Sequence, residues 1–275
     1  MKFLNQIYRL ITFLEEIPKY RIKKNGIVYV LILHSIPQEK YEFFERILNY
    51  IKDKYDFINP VDFKNFLKGN FIFKGKRVLL TFDDGFDSNF HVANRILDKL
   101  NILAFFFISP SFTNSKSIKE QTYFLKKNLL ISDQNHEIKS MNWEHIIRLS
   151  ELGHEIGSHT MNHYNLTNLS MKKLEYELKE SKNIIQDKIN IKVDSFAYPF
   201  GSIESVNFEI ISTISSHYKY CFSGIRGPNY NSTDKMSIRR DALYLERSYE
   251  DNQSIINGYY SFIYNKKRKI LDSFI

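Results

Sequence analysis

The sequence predicts an α/β protein whose parallel strands close, or nearly close, into a barrel with its helices outside. Short apolar runs rich in β-branched and aromatic residues recur along the chain, and most are followed by apolar residues at helical spacing. This strand-then-helix order repeats often enough to favour a barrel over an open sheet. The length agrees, since 275 residues accommodate a barrel domain of about 250 residues with terminal extensions. With 43% hydrophobic and 15% aromatic residues, chiefly 23 Phe and 18 Tyr, the composition is that of a protein with a large core.

The elements follow in order. Residues 1–25 form an amphipathic extension in which Phe3, Leu4, Ile7, Leu10, Ile11 and Leu14 alternate with Lys2, Arg9, Glu15 and Glu16. The barrel is predicted over 26–245. Its first strand, 26–34 (GIVYVLILH), is a continuous apolar run and so buried on both faces. Helical spacing follows over 41–55 at Phe44, Ile47, Leu48 and Ile51, and Asn59 caps a short helix over 60–67. The strand 77–82 (RVLLTF) runs into Asp83, Asp84 and Gly85, and Phe90, Ala93, Ile96, Leu97 and Leu100 mark a helix beyond. Another strand spans 102–108 (ILAFFFI). The stretch 111–140 is polar and irregular, about twice the usual upper length of a structureless connection. It is therefore predicted as an insertion with local helix near the strand ends, placed to roof a site. Asn142 caps a helix stopped by Gly153, and 155–158 begins the next strand. A long helix from Ser170 to Lys188, a strand over 193–198, a helix over 203–217 and a strand over 218–222 complete the alternation. Residues 246–275 form a helical, basic extension.

Lys and Arg number 39 against 31 Asp and Glu, a formal charge of +8. The charge is dispersed apart from Lys266, Lys267, Arg268 and Lys269, and no nucleic-acid module accompanies that run. It is predicted as a solvated face, with no nucleic-acid partner. The single cysteine, Cys221, excludes an intrachain disulfide framework and a multi-cysteine zinc site, so any metal needs His and carboxylate ligands. No apolar run approaches the roughly 18 residues of a membrane-spanning helix. The N-terminus has neither an uninterrupted apolar region nor a small-residue cleavage site, which points to a cytoplasmic protein. Residues 1–25 are expected to pack on the body, with contact at a membrane surface as the alternative.

Chemistry concentrates at two places. Asp83 and Asp84 stand at the C-terminal end of a strand, where α/β barrels place catalytic groups. Adjacent carboxylates there need a cation or a proton to coexist, although one of them could simply cap the next helix. His159 and His163 in SHTMNH are four residues apart, a spacing that aims both imidazoles at one point if the segment turns helically. The strand 155–158 delivers them to the same end of the barrel as the aspartates. Two imidazoles and one carboxylate then make a three-ligand site that leaves positions open for water.

Three segments, LTFDDGF (80–86), GHEIGSHTMNHYNLTNLS (153–170) and FAYPFG (196–201), together resemble the NodB-homology polysaccharide deacetylases, carbohydrate esterase family four, in order and in spacing. The resemblance covers 26–245 and implies a distorted (β/α)7 barrel. Carried over by position, it makes Asp83 the general base and Asp84, His159 and His163 the ligands of a divalent metal. Zinc is the default, with nickel, cobalt or iron as alternatives. Two positions depart from the family pattern. Ala197 stands where many members carry an Arg that orients the catalytic Asp, which leaves Arg239 and Arg240 in a late strand-like segment as candidate replacements. No late Leu-x-His motif supplies the general acid, because His217 is the last histidine and sits in a helical stretch. The strand ending in LILHSIP offers His34 instead, as in the branch resembling the circularly permuted poly-N-acetylglucosamine deacetylases. His91, His136, His145, His154 and His217 match no motif.

The reaction so implied is hydrolysis of the N-acetyl group of an amino sugar in a glycan or glycan precursor. Asp83 takes a proton from the attacking water, the metal and the Phe200 N–H stabilise the oxyanion, and His34 protonates the departing amine. Tyr198, Pro199 and Phe200 are expected to line the sugar site, a core role for one of the aromatics being the alternative. Two other readings share these motifs: a catalytically silent carbohydrate-binding module and a scaffold of a polysaccharide-assembly complex. Metal content separates the enzyme from the silent module.

Overall fold

The computed structural model describes residues 26–131 and 138–275, so the readings made for 1–25 and for His136 lie outside the described residues. Strand β1 (Ile27–Leu33) is buried along nearly its whole length, because its run of Val, Leu and Ile faces apolar neighbours on both sides. It pairs in parallel with β3 (Lys76–Phe82) from Ile27 opposite Lys76 to Leu33 opposite Phe82. The short β2 (Asp56–Phe57) lies alongside β3. From β3 the sheet continues through β4 (Phe105–Ile108), β5 (Glu155–Ser158), β6 (Ser195–Ala197) and β7 (Tyr220–Phe222). The short β8 (Asp241–Ala242) lies on the other side of β1, and all these strand pairings are parallel.

The segment from Ile238 to Leu243 joins the two edges. At its start, Ser223 N–H donates to the Ile238 carbonyl (2.8 Å) and Ile238 N–H to the Cys221 carbonyl (3.0 Å), which ties it to β7. At its end, Leu31 and Ile32 of β1 stand opposite Asp241 and Ala242. The result is a distorted (β/α)7 barrel whose seam is a short stretch of chain.

Side chains alternate across the strands, so the barrel has two apolar layers. Val28, Val30, Leu79, Phe105, Phe107, Phe222 and Ile238 form one cluster with Phe63 and Phe66 of α2 (Pro60–Leu67). Leu31, Leu80, Phe82, Phe106, Ile108 and Phe196 form the other with the surrounding helices. Those helices include α1 (Tyr41–Lys54), α3 (Asp87–Val92), which runs on through a π-helical turn (Ala93–Leu97), α6 (Trp143–Glu151), α7 (Met171–Ile189) and α8 (Phe208–His217). Gly157 of β5 is required by close packing, since a Cβ there would run into the Phe107 ring. Helix starts follow the sequence signals: the side chains of Asn59, Asn142, Ser170 and Asn207 each accept the N–H three residues on.

Several boundaries differ from expectation. The strand expected over 102–108 begins at Phe105, because Asn101 takes a left-handed turn (φ 54°) to end the preceding helix and Ile102–Ala104 lead across to the sheet. The helix expected over 203–217 is split into a 3₁₀ turn (Ile203–Ser205) and α8, the break coming where Asn207 caps the second piece. The insertion carries α4 (Pro110–Thr113) and α5 (Ile118–Lys127) on a small apolar cluster of Phe86, Phe112, Phe124 and Leu125. After the seam, α9 (Tyr249–Ile256) and α10 (Asn265–Asp272) return to the body and bury Ile255, Ile256 and Leu271. Of the basic run expected to be solvated, Arg268 turns inward and donates to the carbonyls of Arg226 (2.8 Å) and Ser261 (2.6 Å). Among the described residues, no helix is long and apolar enough to cross a membrane.

Candidate active site

Parallel strands deliver their ends to one edge of the barrel, and the candidate residues collect there. The β1–β3 ladder runs one step past Phe82, with the Asp83 N–H donating to the Leu33 carbonyl (2.9 Å). That step sets His34 and Asp83 at matching positions on neighbouring strands. Asp84 follows in the left-handed region (φ 73°), as does Gly85 (φ 82°), and the chain reverses into α3. Thr160 (φ 65°), His163 (φ 55°) and Phe200 (φ 62°) are also left-handed although none is glycine. Each such residue costs on the order of 1–3 kcal/mol and persists only where its surroundings hold it, so strain is concentrated at this edge.

The segment from His159 to His163 does not turn helically, as the four-residue spacing suggested. It is an irregular bend, and the two strained residues make the imidazoles converge. Hydrogen bonds fix the bend from several sides. The His163 N–H donates to Thr160 Oγ1 (2.8 Å), and the buried Glu177 of α7 accepts both the Asn162 N–H and its Nδ2–H (2.7 Å each).

Asp84, His159 and His163 are all buried, and one ligand atom from each lies within 4.8 Å of the others. His159 Nδ1–H donates to the Ala197 carbonyl (2.8 Å) and His163 Nδ1–H to the Asn128 carbonyl (3.0 Å). A carbonyl can only accept, so each imidazole, when neutral, presents a bare Nε2 lone pair to the centre. These atoms stand 3.5 Å and 3.4 Å from Asp84 Oδ1, itself buried without a hydrogen-bond partner among the described residues. Three electron-pair donors facing one another without a proton between them is the arrangement a divalent cation satisfies. Without such an ion, burial and then the neighbouring Asp83 charge push the Asp84 carboxyl up to about 7, against the pull of His34. Burial depresses His159 to about 3 and lowers His163 as well, so both imidazoles stay neutral and able to ligate.

Asp83 is held in the opposite state. Burial alone would raise its pKa, but the Arg240 charge, helped by His159 and His34, outweighs burial and holds it at about 2. Arg240, only 1% exposed, grips both carboxylate oxygens, Nη1 to Oδ1 at 2.7 Å and Nη2 to Oδ2 at 2.9 Å. Its Nε–H donates to the Ser223 carbonyl (2.9 Å) and Nη1 also reaches Thr81 Oγ1 (3.1 Å). Arg240 sits in the middle of the seam and points inward. Arg239, one residue earlier, points the other way and pairs with Asp272 (2.6 Å), so it does not serve as the orienting cation.

The third motif divides. Tyr198 is not a groove residue: it is 1% exposed and its hydroxyl donates to the Met236 carbonyl (2.7 Å), so it belongs to the core. Pro199 is buried as well. Phe200 is 43% exposed and lies edge-to-face with His163, ring centroids 4.9 Å apart. His34 is exposed at the rim, near enough for its charge to act on both aspartates. His217 lies on the outer helix α8, 2.9 Å from Glu175. His91 and His145 flank Asp87, and the buried His154 accepts the Ala104 N–H (3.1 Å). Asn128 and Glu177 were not anticipated. Glu177 carried a readable signal, a carboxylate on the apolar stripe Leu174, Leu178, Ser181 and Ile185. Asn128 acts on His163 through its main chain, which no residue type announces.

No curated protein sequence matches the chain. Solved structures with a similar fold include IcaB from Ammonifex degensii, with a TM-score of 0.69 and 19% identity over 86% of this chain and 97% of that one. The Streptococcus pyogenes deacetylase PplD, in complex with acetate, is similar with a TM-score of 0.66 and 20% identity over 86% and 99%. A de-N-acetylase from Aggregatibacter actinomycetemcomitans follows at 0.64 and 19% over 83% and 99%. The sequence model of one family, polysaccharide deacetylase, matches residues 72–216, a span that holds Asp83, Asp84, His159, His163 and Phe200. That span is more than half of the chain, and the chain belongs to the polysaccharide deacetylase family.

Proposed function

We propose that this protein is a metal-dependent hydrolase that removes N-acetyl groups from the amino sugars of a glycan or glycan precursor. The observation that carries the reading is the convergence of Asp84 Oδ1, His159 Nε2 and His163 Nε2 beside a second, Arg-paired aspartate. A divalent ion on those three ligands, zinc by default for His and carboxylate donors, supplies a Lewis acid for the amide carbonyl and for water.

The rest of the chemistry belongs to the chain. Asp83 stays ionised and accepts the proton of the attacking water, while Arg240 fixes the plane of its carboxylate. The Phe200 N–H is the donor we assign to the developing oxyanion, and the exposed ring of Phe200 offers an apolar face to the sugar. His34 protonates the amine as the C–N bond breaks. Its place just past the end of β1, ahead of the aspartates in sequence, supports the permuted order of catalytic parts. The barrel over 26–245 takes an N-acetylated glycan as its substrate, with 246–275 as a C-terminal extension.

Acetate release from oligomers of N-acetylglucosamine by metal-loaded wild type and Asp83→Asn tests the reading. Wild type should release acetate. Asp83→Asn should keep its metal and release none, because the amide has the shape of the carboxylate but cannot take the proton. Near wild-type turnover by Asp83→Asn would remove Asp83 from its role, and no acetate from wild type on any oligomer would defeat the reading.

A further inference from the structure

His34 is exposed at the rim, just past the end of β1, so packing alone does not fix its ring. A general acid must nonetheless keep a set geometry to the base and the scissile amide, since an error of about 1 Å can cost on the order of 10²-fold in rate. The main chain on either side of His34 supplies the hold. Before it, the Leu33 carbonyl accepts the Asp83 N–H (2.9 Å). After it, the fully buried Ile36 donates its N–H to Ser88 Oγ (3.1 Å), and Ser35 Oγ lies 3.2 Å from the same hydroxyl.

Both ties lead to one segment. Asp83 opens the turn that bears the two aspartates, and Ser88 stands just beyond it, in the first turn of α3. His34 is therefore bracketed by anchors on the segment that carries Asp83 and Asp84, although Ile36 and Ser88 are 52 residues apart in the chain. The Ser88 hydroxyl is not used as its position suggests. A serine near a helix start can bond back to its own main chain, yet α3 begins at Phe86 with no side-chain cap. Oγ reaches across to the β1 side instead. Removing it would leave the Ile36 N–H, in a residue with no exposed surface, without an acceptor.

We propose that Ser88 is a positioning residue for the general acid: its hydroxyl pins the main chain beyond His34 to the segment that bears Asp83 and Asp84, and so keeps acid and base in one frame. The proposal rests on the deacetylase reading for the role of His34 and has a readout that does not depend on turnover. Ser88 touches neither metal ligand nor substrate; it acts through the chain on either side of His34.

Acetate release from oligomers of N-acetylglucosamine is compared for full-length, zinc-loaded wild type, Ser88→Ala, Ser88→Thr, His34→Ala and the double variant His34→Ala/Ser88→Ala. Backbone amide-nitrogen relaxation at His34 and Ser35 is measured on wild type and Ser88→Ala. Ser88→Ala should keep its zinc and lose about 5- to 50-fold in kcat, with KM within about twofold of wild type. Its order parameter at His34 should fall from about 0.85 toward 0.6. Ser88→Thr, which retains the hydroxyl, should keep most of the wild-type kcat. In the His34→Ala background, removing the Ser88 hydroxyl should cost less than about twofold, because the group it positions is gone. Wild-type kcat in Ser88→Ala, or an equal loss with and without His34, would overturn the positioning role while acetate release upheld the deacetylase. Wild-type kcat in His34→Ala would remove the acid and the proposal together. If wild type releases no acetate, the deacetylase reading fails and relaxation decides alone: unchanged order at His34 overturns the anchor, and lowered order upholds it.

Discussion

At the residue scale, the two aspartates of the DDG turn are chemically identical and are driven in opposite directions. Burial raises both, but only Asp83 has a guanidinium on both oxygens, which holds it at about 2, whereas Asp84 rises to about 7 until a cation takes its lone pair. Arg240→Lys keeps the charge and loses the fork, so the Asp83 pKa should rise. A carboxylate with a raised pKa is protonated at higher pH, so the acid limb of the pH–rate profile should move upward. kcat should fall by about 10–100-fold as the carboxylate loses its fixed plane. An unmoved limb with full activity would contradict the role given to Arg240. His34→Ala should retain metal and lose roughly 10²–10⁴-fold in kcat, the size of a general-acid contribution. His217→Ala should be nearly silent, since that side chain sits against Glu175 on the outer helix. Steady-state kinetics of the two variants decides, and the reverse pattern would return the acid to a C-terminal position. The sequence made Asp84, His159 and His163 legible because ligand chemistry restricts residue type. It left Arg239 and Arg240 undecided, because one residue of register in the seam determines which of them faces the barrel. It misplaced Tyr198 because an aromatic at a strand end fits a groove or a core equally well, and only the Met236 carbonyl settles the matter.

At the element scale, the metal-ligand bend is a strained segment clamped between α7 and the insertion. Glu177 receives two N–H groups of Asn162, Asn162 receives Asn128, and Asn128 receives His163. The chain of hydrogen bonds fixes the His163 tautomer from elements that contribute no ligand. Glu177→Gln replaces one buried acceptor by an NH2 group facing a donor. It should weaken metal affinity by about 10–100-fold and cost on the order of 1–3 kcal/mol in stability, with Asp83, Asp84 and the histidines untouched. Competition with a chelator measures the affinity, and an unchanged value would show that the bend holds itself. Helices here were legible where an amphipathic stripe and a capping side chain coincided, as at Asn59, Asn142 and Ser170. The bend was misread because H-x-x-x-H spacing suits a helix, and left-handed backbone at Thr160 and His163 depends on tertiary hydrogen bonds.

At the scale of the whole molecule, the barrel gathers at one edge what the sequence scatters from His34 to Arg240. The parallel sheet supplies the direction, since each strand ends where its neighbour does. The seam supplies Arg240, and α2 fills the apolar layer on which the aromatic strands stack. Alternating strands and helices were readable from periodicity, and their number pointed to a closed or nearly closed barrel, whereas the pairing that closes it was not readable, because β8 is only two residues long. A cation shared by residues after β3 and β5 would also fasten the sheet. At a free concentration about 100-fold above Kd it adds roughly 2.7 kcal/mol to folding stability. Asp84, His159 and His163 should hold one divalent ion on which turnover depends. Elemental analysis of purified wild type and His163→Ala, each assayed for acetate release, tests it directly. Active wild type should carry one equivalent of transition metal, and His163→Ala should lose both metal and activity. Active wild type without the metal, or a metal-free His163→Ala that still releases acetate, would contradict it.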